Sequence, residues 1–521
     1  MSTVGREGTE SPELPEVEGL TTPSDTARFV DMTGEGRRGR VARGTLINSV
    51  FLLGLNLLAL IRGFAVAGFI EVDDYGVWGL VVVGFTTLYG LALIGVSDKY
   101  IQQDSDDQEL AFQRAFTLQL MVSGAFVVLM WVAMPLYALA YGTWEVLLPG
   151  WVLTLAMPAS AFQAPLWTFY RRLDYLKQRR LQVWDPVVAM VVTLGLAIVG
   201  FGYWAFVIGT IAGAWAAAAV AMRASPYKLA IKYEKGTMLE YRSFSGPLMF
   251  EGLCQAVTAM TPTLVAQRSL GTAAVGAMAI AHNISRYAYK ADQVVNSTIY
   301  PVICAVKDRL ELLEEAFLKS NRVGLLWAAP SGLAVAFFAP DLVHFVLGSR
   351  WEDAIPVIQV FALIAAVNQI GFNWVSIFRA RGDTRPIAVA GLTMAVSVST
   401  IAVPALFVWG LEGYSIGMLL AIFCLVAVRL VYLRRLFSLR AIGHNVAKGV
   451  APALGALAGA GAIRLALWGG ERTELQAVLE VAVFGALAVG LTVISERALL
   501  HEFRGYLSRG RTAATRPSEA V

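Results

Sequence analysis

One stretch of the chain carries cations and hydrogen-bonding side chains at helical spacing within an otherwise apolar sequence. It runs from residue 281 to 301 and reads AHNISRYAYKADQVVNSTIYP. At 3.6 residues per turn, one stripe of this helix holds a set of polar and aromatic side chains, namely His282, Arg286, Tyr289, Gln293, Asn296 and Tyr300. Asn283 and Lys290 flank the stripe, whereas Ile284 and Val294 lie on the opposite side. Because lipid does not tolerate such a face, we expect it to point into protein or water and to mark a functional site.

Basic residues within the predicted membrane spans indicate that the protein binds an anionic cargo. Arginine suits phosphate because its planar fork grips two oxygens and stays charged. Arg286 and Lys290 lie one turn apart, and Arg62 lies in the later part of an earlier apolar run, so these three are predicted to bind substrate. The alternative for Arg62 and Lys290 is that their long side chains extend to the membrane interfaces. For Arg268, at an outer boundary, this interfacial position is the favoured interpretation.

A second helix carries the sequence FEGLCQAVTAMTP at residues 250–262. Glu251, Gln255, Thr258 and Pro262 share one helical face. A carboxylate inside a span is costly unless it is paired or protonated, so Glu251 is predicted to couple transport to H⁺ or Na⁺, with a structural ion pair as the alternative. Asp292 is a weaker candidate for the same role, and Gln255 is predicted to contact substrate.

The remaining substrate candidates are neutral or weakly basic. His282 and Asn283 lie beside Arg286, and Asn48 is about 40° from Arg62 around an ideal helix. His282 is a candidate proton carrier because histidine side chains can change charge in the physiological pH range, although a lone histidine on a helix is more often a hydrogen-bonding packing residue. Another polar patch is predicted either to contact sugar or to join helices, and it consists of Asn368, Gln369 and Asn373.

The composition indicates that membrane-spanning helices position these residues. The chain has 521 residues, of which 57% are hydrophobic and 15% charged, and its mean hydropathy is +0.60. Soluble domains have about 25% charged residues, so this is not a soluble protein. Repeated apolar runs of about 20 residues predict a polytopic, all-α membrane protein. About fourteen spans are predicted, at 45–69, 75–98, 114–140, 146–169, 183–201, 203–223, 243–267, 272–299, 320–340, 354–378, 386–409, 413–433, 446–468 and 475–496.

Basic residues concentrate in alternate connections, starting with GEGRRGRVAR at 34–43. This asymmetry predicts a plasma-membrane protein with both termini in the cytoplasm. The same order of short outer turns and basic inner loops occurs twice, about 200 residues apart, which indicates an internal duplication. It predicts two six-helix lobes around a central cavity, followed by two further helices. The predicted divisions are a disordered tail at 1–44, an N-lobe at 45–223, a cytoplasmic linker at 224–242, a C-lobe at 243–436, two spans at 446–496 and a cytoplasmic tail at 497–521.

Motifs for enzyme chemistry are missing from the sequence. No glycine-rich phosphate loop ends in Lys-Ser/Thr, and the four histidines are scattered. Cys254, Cys304 and Cys424 lie in or beside apolar runs without metal-ligand spacing. We therefore expect no enzyme activity, no cofactor, no metal site and no nucleic-acid partner.

Four stretches together resemble the polysaccharide flippases of the multidrug/oligosaccharidyl-lipid/polysaccharide exporter superfamily. Residues 65–116 contain an acidic turn, a Tyr-Gly pair and a Gln-rich inner loop, and 265–284 read VAQRSLGTAAVGAMAIAHNI. Residues 297–322 contain a proline before an acidic-basic amphipathic loop, and 342–363 contain a Leu-Gly-x-x-Trp-x-x-Ala pattern. Their order and spacing make the resemblance fairly specific over most of 45–436.

The resemblance implies a V-shaped transporter of twelve to fourteen helices that moves a lipid-linked sugar from the inner to the outer leaflet. Its implied partners are the glycan substrate, membrane lipids, a glycan polymerase and other envelope-assembly proteins. One alternative is a cation-coupled drug antiporter of the same superfamily, in which buried carboxylates would dominate the cavity. Another is a membrane glycan polymerase or glycosyltransferase, for which the outer loops are short.

Overall fold

The computed structural model describes residues 65–499 with several gaps, together with isolated positions between 51 and 63. The gaps are 93–95, 103–104, 173, 286–302, 304–307, 382, 384, 468–472 and 498. Within the described residues the chain forms helices joined by turns, with no strand. The predicted all-α class is confirmed.

In the first half, nine helices follow the described helical residues that end at Ala67. They are α1 (Val72–Ala92), α2 (Val96–Gln102), α3 (Gln108–Tyr141), α4 (Leu147–Leu153), α5 (Ala156–Phe162), α6 (Pro165–Arg171), α7 (Tyr175–Gln182), α8 (Trp184–Val199) and α9 (Trp204–Arg223). The longest, α3, begins where the Asp107 side chain accepts a hydrogen bond from the Leu110 N–H, and it ends at Gly142. Gly142 has φ of 73°, a left-handed conformation that favours glycine.

The second half continues the helical pattern and adds two terminal helices. It contains α10 (Lys235–Ser269), α11 (Thr272–Ser285), α12 (Leu310–Leu342), α13 (Ile355–Asn368), α14 (Trp374–Ala380), α15 (Arg385–Ser397), α16 (Val403–Leu433), α17 (Leu439–Leu467) and α18 (Glu474–Ser495). A π-helical turn (Val343–Leu347) and a 3₁₀ turn (Ser349–Ala354) separate α12 from α13. Gly410, with φ of 63°, divides α16 and so separates predicted spans eleven and twelve.

Eight helices among the described residues are long and apolar enough to cross a membrane. The number is nine if a helix pair bent by 43°, Leu147–Phe162 and Pro165–Arg171, counts as one span. One of the eight runs over 49 residues and contains the break at Gly410. The chain is therefore a multi-pass membrane protein, and the number fourteen stays a prediction.

The connection between the halves packs along α3. The Lys228 N–H donates to Glu109 Oε1 over 3.2 Å, and the Gln113 side-chain amide donates to the Lys228 carbonyl oxygen over 3.2 Å. Farther along, the Lys232 N–H donates to Thr117 Oγ1 over 2.7 Å. Residues 225–234 are thus attached to the first half, and α10 begins eight residues before the span that we predicted to start at 243.

The two halves share an apolar core at the end predicted to face outward. Buried residues from both halves form this cluster, among them Ile70, Tyr75, Met134, Val275 and Trp351. At the predicted inner end, each half has a separate cluster, around Phe112 in the first half and around Phe317 in the second. The described residues are therefore packed most continuously across the halves at the predicted outer end.

Candidate functional site

Helices α1 and α11 approach each other closely at the boundary between the halves. A Cβ atom at Gly76 would overlap the Thr272 carbonyl oxygen, and one at Gly276 would overlap the Val72 carbonyl oxygen. A Cβ at Gly79 would lie 3.1 Å from the Ala279 Cβ. Small residues at a helix interface allow the backbones of two membrane helices to approach closely. This contact fixes which side chains of the two helices can meet.

Tyr75 of α1 lies at the centre of this boundary and is 1% exposed. Its hydroxyl accepts a hydrogen bond from Asn283 Nδ2 of α11 over 3.1 Å. Its ring meets the rings of Phe206 and Trp351 edge-to-face, with centroids 5.4 Å apart in each case. Edge-to-face contacts stabilise aromatic pairs beyond their buried area, so Tyr75 joins both halves through its ring and its hydroxyl.

Arg62 lies next to this aromatic group. Its guanidinium carbon is 6.0 Å from the Phe206 ring centroid, and the Phe206 ring stacks on Trp78 at 5.1 Å. The arginine is half-buried. Such a cation–π contact holds a guanidinium in place without neutralising its charge.

Asp185 is a candidate that the sequence-based prediction missed. Predicted span five, at 183–201, contains Asp185 near its start, and the membrane-length helix that carries this residue runs from Leu176 to Val199 with the basic sequence KQRR ahead of its apolar part. Asp185 is half-buried and interacts electrostatically with Arg62. A Cβ at Gly213 would lie 2.6 Å from Asp185 Oδ1, so that glycine makes room for the carboxylate. The available signal was the lone acid in the apolar sequence WDPVVAM.

The polar face predicted for the 281–301 helix begins as expected. His282 and Asn283 are exposed, whereas Ala281 and Ile284 are buried. The His282 ring meets Phe361 with centroids 5.9 Å apart. The structure therefore brings Asn283 to Tyr75 of the first half, near Arg62. The His282 ring instead contacts Phe361, which belongs to the same half as His282.

Helix α10 contains the other predicted face. Gln255 is exposed, and the Thr258 hydroxyl donates to the Cys254 carbonyl oxygen of its own helix over 2.9 Å. Pro262 is buried, so the four residues do not share one environment. The helix passes through Glu251, whose side chain lies outside the described residues.

Four other predicted site residues also lie outside the described residues, namely Asn48, Arg286, Lys290 and Asp292. Their roles stay predictions. Within the residues that are described, no group of three or more His, Cys, Asp and Glu side chains is arranged to hold a metal ion.

The polar patch near the break between α13 and α14 joins helices. Gln369 is 0% and Asn373 1% exposed. Asn321 Nδ2 donates to the Gln369 carbonyl oxygen over 2.7 Å, and Asn373 Nδ2 donates to the Ser320 hydroxyl. Arg429 Nη1 and Nη2 donate to the Asn368 carbonyl and side-chain oxygens, each over 2.7 Å. Of our two predictions for the patch, the described contacts favour the interhelical one.

The side chain of Arg268, for which we favoured an interfacial position, binds the end of a helix of the first half, and its position relative to the membrane stays a prediction. Its guanidinium donates to the carbonyl oxygens of Leu139 and Ala140 over 2.7 and 2.8 Å, and it packs against Gly142. The side chain therefore binds protein.

An acidic group, Asp74, lies in the first turn of α1. Burial raises the pKa of Asp74 above its ordinary value, the Glu71 carboxylate raises it further, and the main-chain N–H of Tyr203 lowers it. A Cβ at Gly202 would lie against the Asp74 carboxylate, so this acid packs on the turn that precedes α9. Asp74 is a titratable contact at the predicted outer end.

Comparisons with known proteins agree with this architecture. Residues 65–356 match a family described as "Polysaccharide biosynthesis protein". The succinoglycan biosynthesis transport protein ExoT of Rhizobium meliloti is 24% identical over 197 residues, which cover 37% of this chain and 39% of that protein. The lipopolysaccharide biosynthesis protein WzxC of Escherichia coli is 21% identical over 146 residues, which cover 28% of this chain and 30% of that protein. The matched segments thus span well under half of these relatives.

Two solved structures show the same fold. The lipid II flippase MurJ, in an inward closed conformation, matches with a TM-score of 0.69 at 12% identity and covers 87% of this chain and 100% of that one. An inward-facing multidrug resistance MATE transporter matches with a TM-score of 0.59 at 14% identity and covers 74% of this chain and 97% of that one. The fold of two helical lobes predicted from the sequence is therefore confirmed.

Proposed function

Because this chain belongs to the polysaccharide biosynthesis protein family, we propose that it is a flippase for a lipid-linked oligosaccharide or polysaccharide repeat unit. The repeat unit is carried on a polyprenyl pyrophosphate and moves from the inner to the outer leaflet by alternating access. ExoT, a succinoglycan biosynthesis transport protein, and WzxC, a lipopolysaccharide biosynthesis protein, support this class of cargo. MurJ supports it through a shared fold.

The observation that carries the proposal is the position of Arg62 beside the boundary between the halves. Its guanidinium is held against Phe206, half-buried, in a chain of apolar membrane helices. A charge inside a membrane span is costly, and membrane proteins retain such charges on substrate pathways. A pyrophosphate presents several oxygens, and the guanidinium fork binds two of them at once. Arg286 and Lys290, on the predicted polar face of the following helix, would extend the cationic surface.

We propose that the remaining predicted residues complete this site. Gln255, His282, Asn283 and Asn48 would hydrogen-bond the sugar or phosphate, while Glu251 and Asp292 would couple transport to H⁺ or Na⁺. Gln255, His282 and Asn283 are exposed at the protein surface, which supports this role because a side chain that binds cargo must not be packed inside the protein.

The function is tested by glycan export in cells that lack the chromosomal gene. Arg286→Ala is expected to abolish export while protein remains in the membrane, since it removes the deepest predicted cation. Arg440→Ala is the matched control, because Arg440 is exposed at the start of α17. Normal export by Arg286→Ala would remove Arg286 from the substrate site.

A second experiment measures flipping directly. Proteoliposomes containing the purified chain and a fluorescent polyprenyl-pyrophosphate disaccharide are treated with an impermeant quencher, and the protected fraction is followed over time. Glu251→Gln is expected to abolish the dependence of flipping on a proton or sodium gradient. If the dependence is unchanged, Glu251 has no coupling role.

A drug antiporter of the same superfamily is the competing function. Asp185 and the likeness to the MATE fold favour it, because cationic drugs require carboxylates in the pathway. The proteoliposomes separate the two functions. A flippase moves the disaccharide lipid and leaves ethidium unmoved, whereas ethidium transport without lipid flipping would establish the antiporter.

We propose the predicted orientation and divisions for the intact protein. Both termini would lie in the cytoplasm, with an N-lobe at 45–223, a linker at 224–242, a C-lobe at 243–436, two spans at 446–496 and tails at 1–44 and 497–521. The membrane would be the plasma membrane, where a glycan polymerase and other envelope-assembly proteins use the flipped product. Labelling of single cysteines at Tyr227 and Glu412 with an impermeant maleimide in whole cells tests the orientation, since only Glu412→Cys should react.

A further inference from the structure

Arg268 of the second half binds the end of a helix that belongs to the first half. Its Nε–H donates to the Ala140 carbonyl oxygen over 2.8 Å, and its Nη2–H donates to the Leu139 carbonyl oxygen over 2.7 Å. Both carbonyls lie in the last turn of α3, which ends at Tyr141. The last carbonyls of a helix lack partners within the helix and carry partial negative charge. The arginine supplies donors and complementary charge together.

Arg350 repeats this arrangement on a different helix. It lies in the 3₁₀ turn Ser349–Ala354 of the second half, and its Nη2–H groups donate to the carbonyl oxygens of Ala67 and Gly68. The helical residues before α1 end at Ala67. Trp351 Nε1–H also donates to the Ala67 carbonyl oxygen, over 3.3 Å. A second helix terminus of the first half is therefore capped by a cation from the second half.

The placement of these two arginines is unusual for their side of the membrane. Basic residues are depleted from outward-facing connections, and here the predicted outer connections hold only Arg268, Arg350 and Arg472. Arg472 lies outside the described residues. The other two both reach across the boundary between the halves. The positive-inside rule disfavours arginines at the predicted outer end. The contacts of Arg268 and Arg350 with the first half give a reason for their presence there.

We propose that Arg268 and Arg350 form a latch that holds the two halves together at the outer end, and that both arginines release their carbonyl oxygens when the halves part to deliver cargo outward. This proposal rests on the proposed alternating-access function only in its statement that the halves part to deliver cargo outward. The hydrogen bonds themselves belong to the described conformation.

The choice of acceptor suits a latch that opens repeatedly. A carboxylate acceptor would become a second unpaired charge at the interface when the contact broke, whereas a released carbonyl group is solvated by water at a helix end. Arginine remains charged at all physiological pH values, and main-chain carbonyls do not titrate.

The latch is tested by measuring the distance between the halves at the outer end. Spin labels are placed at Glu145→Cys and Glu412→Cys, both exposed, in a full-length variant that lacks the three natural cysteines. Pulsed electron resonance then gives the populations of short and long distances. Arg268→Ala with Arg350→Ala should increase the ratio of long to short distances by about tenfold or more, because four charged hydrogen bonds are lost. Arg440→Ala should leave the ratio unchanged.

A second variant acts on Arg268 without removing its charge. A Cβ at Gly142 would lie 2.7 Å from Arg268 Nη1, so Gly142→Ala is expected to displace the guanidinium and increase the long-distance population. Gly200→Ala is the matched control, because Gly200 also ends a helix with positive φ, of 90°, but has no atom within 4 Å of the added Cβ. The control carries the same backbone strain and should leave the population unchanged.

The outcomes separate the latch from the proposed function. Unchanged distances in both the double-arginine variant and Gly142→Ala would overturn the latch, even if the wild-type chain flips glycan lipid. Increased distances would support it, even if the wild-type chain flips no glycan lipid, in which case the proposed function alone fails. If the double-arginine variant does not fold, Gly142→Ala against Gly200→Ala decides the question.

Discussion

The Asn283 side-chain amide donates a hydrogen bond to the Tyr75 hydroxyl over 3.1 Å, although 208 residues separate the two in the chain. One residue comes from each half, and the hydroxyl belongs to a ring that is itself wedged between Phe206 and Trp351. Asn283 is also a proposed cargo-binding residue. In the described conformation one of its N–H groups is used to join the halves, so separation of the halves would release it for cargo.

The first prediction concerns this hydrogen bond. Tyr75→Phe keeps the ring contacts and removes the hydroxyl, and it is expected to destabilise the protein by about 1 kcal/mol. Tyr75→Ala leaves a cavity and is expected to destabilise it by about 3–5 kcal/mol. Thermal unfolding in detergent measures both. Combining Tyr75→Phe with Asn283→Ala should cost no more than the larger single change, and fully additive losses would argue against the bond.

The second prediction concerns the geometry of Arg62. Arg62→Ala is expected to reduce flipping in proteoliposomes by about tenfold or more, because it removes a charged, two-pronged phosphate contact. Arg62→Lys keeps the charge but loses the fork, and it should give an intermediate rate. Equal rates for the lysine variant and the wild-type chain would mean that only charge matters. Arg440→Ala again serves as the control.

The third prediction is a pH dependence at Asp74. Burial and the Glu71 carboxylate raise its pKa, so the folded protein holds this proton more tightly than the unfolded chain. Folding stability therefore gains as the pH falls from neutral through the raised folded pKa and towards about 4, and that gain is absent at higher pH. Asp74→Asn should flatten the pH dependence of the unfolding temperature, whereas Asp73→Asn, an exposed neighbour, should not. An unchanged slope in Asp74→Asn would contradict the prediction.

The fourth prediction concerns the break between α13 and α14. Arg429 is 8% exposed and holds the Asn368 carbonyl and side-chain oxygens. Arg429→Ala would leave these acceptors buried without their charged donor, and it is expected to cost about 3 kcal/mol or more. Arg429→Lys keeps one charged donor and should cost less. Folded yield by fluorescence-detected size-exclusion chromatography and unfolding temperature measure the two costs.

The fifth prediction concerns the attachment of the last two helices. Arg464 of α17 donates to the fully buried Glu480 of α18 over 2.7 Å and pairs with Asp341 of α12 at 3.4 Å. Its guanidinium carbon is 3.7 Å from the Phe337 ring centroid. Removing one partner of a buried pair is costly, so Arg464→Ala should destabilise the protein by about 3–5 kcal/mol. Protease cleavage between α16 and α17 should accelerate in this variant, and an unchanged cleavage rate would show that the pair does not hold these helices.

Several features of this protein could be predicted from local sequence. Apolar runs long enough to cross a membrane predict helices, because lipid offers no partner for unpaired backbone groups. The 3.6-residue period correctly separates the faces of α11, with His282 and Asn283 exposed and Ile284 buried. These conclusions hold because the bilayer and the helix geometry act on each segment independently of its neighbours.

The sequence by itself thus determined the membrane class, the helical faces and the presence of intramembrane cations, since each depends on residues close together in the chain. Only the tertiary structure decided which side chains meet. Asp185, near the start of predicted span five, interacts electrostatically with Arg62, and Arg268 binds a helix end of the other half. These pairings depend on how far helices slide and how closely they approach, which glycines such as Gly76 and Gly276 set by permitting backbone contact. Residue spacing along one helix carries no information about that register.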